Sequence, residues 1–160
     1  MVLQVDKTRV ELLSSKDAAE IESLFKEVWP TAIEYPEKWR KKRTLSREEI
    51  VKEMKGDYYY FGVRVDGRIV GLYKASIKKD TVLGEHQTIH PSYQGRGLAT
   101  TMYKQLINFA KKKKCKKIHV NILPNQIASK KCVDKLGFHK KGGLWEQAKE
   151  MLVQTYEKEV

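Results

Sequence analysis

Cysteine, proline and long apolar runs are all scarce in this chain of 160 residues. It has two cysteines and four prolines, and no segment approaches the roughly 18 consecutive apolar residues that a membrane-spanning helix needs. Cys115 and Cys132 have no second Cys or His at metal-ligand spacing, so we expect reduced thiols and no metal. The first ten residues lack the pattern of a secretory signal, so a cytoplasmic protein is expected by default.

The charge of the chain is strongly positive. Lys and Arg number 32 against 20 Asp and Glu, which gives a formal net charge of +12. Such a charge favours nucleic acid, an acidic protein surface or a phosphorylated cofactor as partner, although a Lys-rich and Glu-rich surface also occurs as a solubilising, ion-paired coat. With 41% hydrophobic residues, the length fits one globular domain over residues 1–160.

Local patterns predict a mixed order of elements: a strand, two helices, an antiparallel meander, and then strand, helix, strand, helix and strand. The first helix should begin near Ser15 and end at Pro30, and Ser46 with Glu49 makes a capping box for the second. Between them, an irregular connection with a single helical turn is expected. Asp66-Gly67 is a strong hairpin signal between two runs rich in aromatic and β-branched residues.

The stretch QGRGLA at residues 94–99 follows a predicted strand that ends at Ile89 and opens a predicted helix. At such a position unpaired backbone N–H groups and the positive end of the helix dipole converge, and glycines allow a ligand to approach. A bound diphosphate with Arg96 as a nearby cation, and a tight turn that binds nothing, both agree with this pattern. A P-loop and a dinucleotide-binding fingerprint are excluded by spacing.

These residues resemble the acetyl-coenzyme A signature of the GNAT N-acetyltransferase superfamily. The segment IHPSYQGRGLA at 89–99 is similar to its pattern Val/Ile-x-Pro followed by Gln/Arg-x-x-Gly-x-Gly/Ala. An Asn-x-x-Ala and a KLGF ending extend the likeness over residues 81–140. The resemblance implies a single α/β domain of the α+β type. Its mixed, mostly antiparallel sheet would be flanked by helices and splayed between the TVLGEHQTI and KKIHVNIL strands.

The resemblance also implies a set of cofactor contacts. The backbone of residues 94–100 would hold the pyrophosphate of acetyl-coenzyme A, and the strand end at Ile89 would pair with the pantetheine arm. Asn125 matches a residue that contacts pantetheine or assists catalysis. The expected cofactor-binding residues are Ile89, Gln94, Gly95, Arg96, Gly97, Leu98, Ala99, Thr100, Asn125 and Ala128.

Two residues are candidates for the general base. Glu85 lies on the predicted strand, where the two-residue period places it on one face with Gln87 and Ile89. The resemblance implies a catalytic glutamate there, whereas a structural glutamate would pair with a lysine. His90 is the second candidate because imidazole titrates in the useful range. A bulge in the strand would change the faces of His86 and His90.

The proton donor is not evident from the sequence. The family frequently has a tyrosine four residues before the glycine of its GF ending, and this chain has Val133 there. Cys132, Tyr103 and solvent remain as alternatives. Neither cysteine has a recognisable base partner, which favours direct attack by a primary amine on the acetyl group over an acetyl-cysteine intermediate.

The resemblance places acceptor specificity in residues 31–46 and in the late hairpin loop at 140–147. Tyr35, Trp39 and Trp145 are the expected substrate-binding residues, although the same rings could belong to the core. The basic run at 40–43 would repel a polyamine. It favours a neutral amine, an amino acid or antibiotic-like molecule, or a protein amino group.

The run KKKKCKK at 111–117 raises the alternative of a nucleic-acid-binding module. However, the run straddles a helix end, where lysines suit the helix dipole, and no aromatics are interleaved for stacking. Nucleic acid is therefore not the expected partner. A sensor that binds acyl-coenzyme A without turnover is a further alternative. The expected partner is an amine-bearing small molecule or protein, without a membrane, and a homodimer is left open.

Overall fold

A computed structural model describes residues 8–160 of the chain. Their strands form one seven-stranded sheet in the order β1-β2-β3-β4-β5-β7-β6, which confirms the expected mixed, mostly antiparallel α/β fold. None of the helices within this range is long and apolar enough to cross a membrane. The strands are β1 (Thr8–Leu12), β2 (Tyr58–Val65), β3 (Arg68–Lys78), β4 (Thr81–Ile89), β5 (Lys117–Ile122), β6 (His139–Ala148) and β7 (Met151–Glu159). The helices are α1 (Ala18–Val28), α2 (Glu37–Arg43), α3 (Arg47–Lys55), α4 (Leu98–Lys112) and α5 (Ile127–Lys135).

Two elements differ from the sequence-based expectation. Helix α2 occupies part of the connection that was expected to be irregular, and it follows directly on Pro36. Strand β6 occupies the expected loop at 140–147 and pairs antiparallel with β7. Its side chains from His139 to Gln147 are all exposed, so β6 lacks the alternation of buried and exposed residues that reveals a strand in a sequence.

The pairing of β4 with β5 is short. It is parallel and runs over four pairs, from Thr81↔Lys117 to Gly84↔Val120. Strand β4 then continues to Ile89, so its second half is not paired with β5. This agrees with the expected splay between these two strands. His86 in this half has a left-handed backbone with φ 60°, which interrupts the regular pleat.

The chain divides into two compact units, and the boundaries fall within β3, within β4 and in the first turn of α4. The first unit comprises the described residues through Lys74 together with His86–Leu98. Arg64 on β2 ties its elements together, because its guanidinium contacts Glu11 on β1, Asp17 at 3.0 Å and Glu20 on α1 at 3.1 Å. With only 12% of its side chain exposed, Arg64 is screened little by solvent.

The second unit comprises Ala75–Glu85 and Ala99–Val160. One carboxylate joins three of its strands: Glu157 on β7 contacts Nε2 of His119 on β5 at 2.7 Å and Nζ of Lys141 on β6 at 3.1 Å. These hydrogen bonds lower the pKa of Glu157 to about 2. The carboxylate is therefore ionised at any pH near neutrality.

A buried histidine belongs to the core of the first unit. His86 is 5% exposed and stacks in parallel on Phe25 of α1, with ring centroids 4.6 Å apart. Burial lowers its pKa well below the usual 6.5, and the positive charges of Arg43 and Lys74 lower it further. Its Nε2 atom has no hydrogen-bond partner among residues 8–160. His86 is therefore a neutral side chain of the core.

We expect the chain to lose stability as the pH falls below about 6.5, because the unfolded chain protonates His86 and the folded one does not. This group should lower the free energy of unfolding by up to about 1.4 kcal/mol per pH unit. His86→Phe keeps a ring against Phe25 and removes the titrating nitrogen, so its stability should fall less between pH 7 and pH 5. Urea unfolding at pH 7 and pH 5 measures the free energy of unfolding of the wild type and of the variant. An equal loss of stability in the two proteins would refute the neutral, buried state of His86.

Candidate functional site

The connection between β4 and α4 is made of a proline turn and a glycine turn. Pro91–Tyr93 form a short 3-10 turn, and the Ser92 backbone N–H donates to Nδ1 of His90 over 3.1 Å at its start. Gly95 and Gly97 then take φ values of 76° and 79°, in the left-handed region that other residues enter only at a cost. Helix α4 begins directly after Gly97.

The glycine turn presents its backbone to solvent. Residues 94–97 are all exposed, and nothing lies within 4 Å of the place where a Cβ atom on Gly95 or Gly97 would stand. Helix α4 is 15 residues long, and the N–H groups of its first turn lack acceptors within the helix, so partial positive charge gathers at this turn. The arrangement fits a diphosphate.

The side chains of the turn lie beside it. The guanidinium of Arg96 is 4.9 Å from the centroid of the Tyr93 ring, a cation–π distance that keeps the positive charge near the glycines. Nε2 of Gln94 is 3.5 Å from the carbonyl oxygen of Ile89, at the outer limit of a hydrogen bond. Within the first turn of α4, Leu98 is buried, while Ala99 and Thr100 are half-buried.

Helix α5 contacts the first turn of α4 through a thiol. Sγ of Cys132 lies 3.3 Å from Oγ1 of Thr100, so Cys132 has a hydroxyl and not a base beside it. Asn125 and Ala128 are both exposed around the start of α5. The structure thus brings Thr100 and α5 together and leaves Asn125 open to solvent.

Two of the positions considered for a proton donor are buried, while Cys132 is half-buried. Val133, where the family often has a tyrosine, is 0% exposed, and Tyr103 is 6% exposed with its ring edge-to-face against Phe138. The valine side chain has no proton to give. No proton donor is therefore evident at the position that the family pattern indicates.

The two candidate bases differ in their contacts. The Glu85 side chain is half-buried and makes no hydrogen bond or ion pair within the described part of the chain. His90 uses both ring nitrogens, since Nε2 lies 2.9 Å from Oε2 of Glu27 and Nδ1 accepts from the Ser92 backbone. A neutral His90 therefore has no lone pair left for a substrate, whereas the Glu85 carboxylate is available.

The predicted acceptor residues of the first unit form an aromatic cluster. Trp39 is buried, 5.5 Å from Trp29 and 4.7 Å from Tyr35 between ring centroids, and the guanidinium carbon of Arg43 lies 4.2 Å above it. Tyr35 is half-buried. Trp39 thus belongs to the core, which was the alternative for these rings, and Tyr35 remains partly accessible.

Trp145 on β6 belongs to a polar chain that crosses three strands. Its Nε1–H donates to Oγ1 of Thr155 over 2.9 Å, and Thr155 in turn donates to Oδ1 of Asn121 over 2.7 Å. The adjacent Gln154 donates to the carbonyl oxygen of Gly142 over 3.0 Å and so fixes the irregular part of β6. Trp145 is 42% exposed, so it is held in place and remains accessible.

Asn121 and Thr155 were not predicted as site residues. Both are half-buried, and Asn121 lies in β5, where apolar residues alternate with polar ones. That alternation in the sequence marks a polar sheet face but does not reveal the pairing of Asn121 with Thr155. As to metals, the described residues contain no group of three or more His, Cys, Asp or Glu that could hold one.

Comparisons with known structures show where this fold recurs. The chain superposes on the ribosomal-protein-S18-alanine N-acetyltransferase of Escherichia coli with a TM-score of 0.75 and 13% identity, covering 95% of this chain and 93% of that one. It superposes on the PaiA N-acetyltransferase of Thermoplasma acidophilum in complex with coenzyme A with a TM-score of 0.75 and 16% identity, covering 96% of this chain and 99% of that one. With YncA, a putative acetyltransferase of Salmonella typhimurium with acetyl-coenzyme A, the TM-score is 0.74 and the identity 16%, over 95% of this chain and 93% of that one.

At these identities the structural likeness shows the fold alone. No curated protein matches the sequence significantly. The profile of the Acetyltransferase (GNAT) family, however, matches residues 18–138, and this range includes β4, the glycine turn, α4 and α5. The chain therefore belongs to the GNAT family of acetyltransferases.

Proposed function

We propose that this protein moves the acetyl group of acetyl-coenzyme A to a primary amine by direct nucleophilic attack. The observation that carries the proposal is the exposed glycine turn, whose two left-handed residues lead into the N-terminus of α4. Membership of an acetyltransferase family agrees with it, as do related folds that bind coenzyme A or acetyl-coenzyme A.

The proposed cofactor contacts follow the order of the chain. The backbone of residues 94–100 would hold the pyrophosphate, with Arg96 as the nearby cation. The end of β4 at Ile89 would pair with the pantetheine arm, and Asn125 and Ala128 would contact it from the start of α5. When bound, acetyl-coenzyme A supplies an acetyl group activated as a thioester.

Glu85 is the proposed general base. An ammonium group must lose a proton before its nitrogen can attack, and a positioned carboxylate accepts that proton directly or through one water. The Glu85 carboxylate has no partner within residues 8–160, while both nitrogens of His90 are engaged. We therefore propose Glu85 as the base and His90 as a residue that shapes the turn after β4.

A covalent intermediate on cysteine is disfavoured by the surroundings of both thiols. Cys115 is buried, and burial raises its pKa. Cys132 lies against the hydroxyl of Thr100. Because neither thiol has a base to generate the reactive thiolate, direct attack by the amine is the simpler route.

The proposed acceptor is a neutral amine, an amino acid or a protein amino group. Arg43 above Trp39 and the neighbouring Arg40, Lys41 and Lys42 put positive charge on α2, which repels a polyamine. Tyr35 and Trp145 are the accessible aromatic side chains among the predicted acceptor residues. A protein acceptor is supported by the similar Escherichia coli enzyme, a ribosomal-protein-S18-alanine N-acetyltransferase.

Replacing Glu85 tests the base. Glu85→Gln keeps the size of the side chain and removes its basicity, so kcat should fall by about 100-fold or more, while the Kd for acetyl-coenzyme A should not change. Coenzyme A release with a panel of amines and peptides measures kcat, and titration calorimetry measures the Kd for acetyl-coenzyme A. An unchanged slow rate in Glu85→Gln would instead favour a sensor without turnover.

Replacing a glycine of the turn tests the cofactor site. Ala at position 97 disfavours the left-handed backbone by roughly 1–2 kcal/mol, so Gly97→Ala should raise the Kd for acetyl-coenzyme A about tenfold. Gly67→Ala is the matched control, because Gly67 also has a left-handed φ of 83° and open space around it but lies in the β2–β3 turn. Equal affinities in the two variants would contradict the proposed site.

A further inference from the structure

One end of the second unit carries a dense group of lysines, which we call the lysine end. It is formed by the end of β3 with the turn after it, the C-terminal end of α4, and the turn that leads into β5. All of its lysine side chains are exposed. They are Lys78, Lys79, Lys111, Lys112, Lys113, Lys114 and Lys116.

Backbone hydrogen bonds hold the three segments of the lysine end together. The N–H of Lys116 donates to the carbonyl oxygen of Asp80 over 2.7 Å, and β5 then pairs with β4 from Thr81↔Lys117 onward. The N–H of Cys115 donates to the carbonyl oxygen of Ala110 over 2.9 Å and closes the end of α4. The lysines at 78–79 are therefore neighbours in space of those at 111–116, although more than 30 residues separate them in the sequence.

The positive charge of the protein is concentrated in this unit. Residues 75–85 and 99–160 contain 16 lysines and seven acidic residues, whereas residues 1–74 and 86–98 contain 16 lysines and arginines and 13 acidic residues. Six lysines of the lysine end have no ion pair within residues 8–160. A solubilising, ion-paired coat would instead hold these six lysines against carboxylates.

Two of these lysines occupy backbone positions that suit other residues better. Lys79 has φ 59° and Lys114 has φ 57°, both in the left-handed region that Gly and Asn enter at lower cost. Lys114 stands where a helix commonly ends in glycine or asparagine. Lysine at both turns brings positive charge to the lysine end at the expense of backbone strain.

The helix dipole explains only part of this group. Lys111 and Lys112 lie in the last turn of α4 and complement its negative end, but Lys78 and Lys79 belong to a strand and a turn. In the sequence, the basic run extends only over residues 111–117. The folded chain adds the lysines after β3 to that run.

We propose that the lysine end is a docking surface for the phosphate backbone of double-stranded RNA. Its described aromatic residue, Phe109, is 7% exposed beneath Lys113, so it offers no ring on which single-stranded bases could stack. The lysines lie on turns and at the ends of β3 and α4, and not along the length of a helix or strand that could lie in the wide major groove of DNA. Across the narrow major groove of A-form RNA the phosphates of both strands lie close together, and a compact group of lysines matches them.

A membrane surface fits the lysine end less well. The exposed large apolar residues of the described chain lie elsewhere, and none belongs to the three segments of the lysine end. The surface therefore has charge but no side chains to insert among lipids. The exposed residues in question are Leu12, Ile33, Ile127, Leu144, Trp145 and Leu152.

The lysine end lies away from the first turn of α4. The helix has 15 residues, which at about 1.5 Å per residue separate Ala99 and Thr100 in its first turn from the lysine end by roughly 20 Å. None of the lysines proposed for docking therefore belongs to the proposed cofactor site. The enzyme could be held on an RNA–protein particle while its site acts on a protein of that particle.

The test measures the affinity for RNA against salt. Fluorescence anisotropy with a labelled 20-base-pair RNA duplex should give a Kd that rises with the KCl concentration. A plot of log Kd against log [KCl] should have a slope of about 0.9 for each phosphate contacted. Lys79→Asn/Lys114→Asn should weaken binding at least fivefold and reduce the slope by about two. The melting temperature should not fall, because asparagine tolerates the left-handed backbone better.

A matched variant separates this surface from diffuse charge. Lys52→Gln/Lys55→Gln removes the same charge from exposed lysines of α3 that have no ion pair in the described range, and it should bind RNA like the wild type. Equal losses in both variants would overturn the proposal. So would tighter binding to a DNA duplex, to single-stranded RNA or to phosphatidylserine vesicles at the same salt concentration.

Coenzyme A release with a small amine keeps the two proposals apart. The Lys79→Asn/Lys114→Asn variant should retain the wild-type rate, since it leaves the glycine turn and Glu85 untouched. RNA binding without any acetyl transfer would refute the proposed enzyme and leave the docking surface standing. A fall in rate equal to the fall in RNA affinity would show that the lysines serve the reaction and not docking.

Discussion

The organisation of the protein depends on how β4 is held along its length. Its first half is fixed by the parallel register with β5, which ends at Gly84↔Val120. Its second half is fixed from the side of α1, where His86 stacks on Phe25 and His90 contacts Glu27. Glu85 stands between these two sets of contacts. Its backbone is placed by both, while its carboxylate takes part in neither.

This arrangement divides the work among neighbouring residues. His86 is buried and uncharged, so it serves packing, and His90 spends its two nitrogens on α1 and on the following turn. We therefore propose structural roles for both histidines near the glutamate. Because they secure the end of β4 and the start of the glycine turn, the residue proposed for proton transfer needs no structural contact of its own.

The sequence reveals those parts of the fold that rest on local chemistry. The capping box at Ser46, the turn at Asp66-Gly67 and the left-handed glycines at 95 and 97 each follow from a few adjacent residues. Strand β6 was missed because it forms through hydrogen-bonded pairing with β7 and has no buried face that the sequence could reveal. Likewise, the contacts of Trp145 with Thr155 and of His90 with Glu27 arise from long-range packing, which a local pattern does not encode.

Helix α4 shows why a net charge of +12 is a poor guide until the fold is known. At its N-terminus the proposed attraction for a diphosphate comes from backbone N–H groups and exposed glycines, with little formal charge. At its C-terminus full charges on lysines dominate, and they are joined by Lys78 and Lys79 from a distant part of the sequence. The buried stripe of Met102, Leu106 and Ala110 packs the helix between them, so the two proposed anion sites lie at opposite ends of one helix and differ in chemistry.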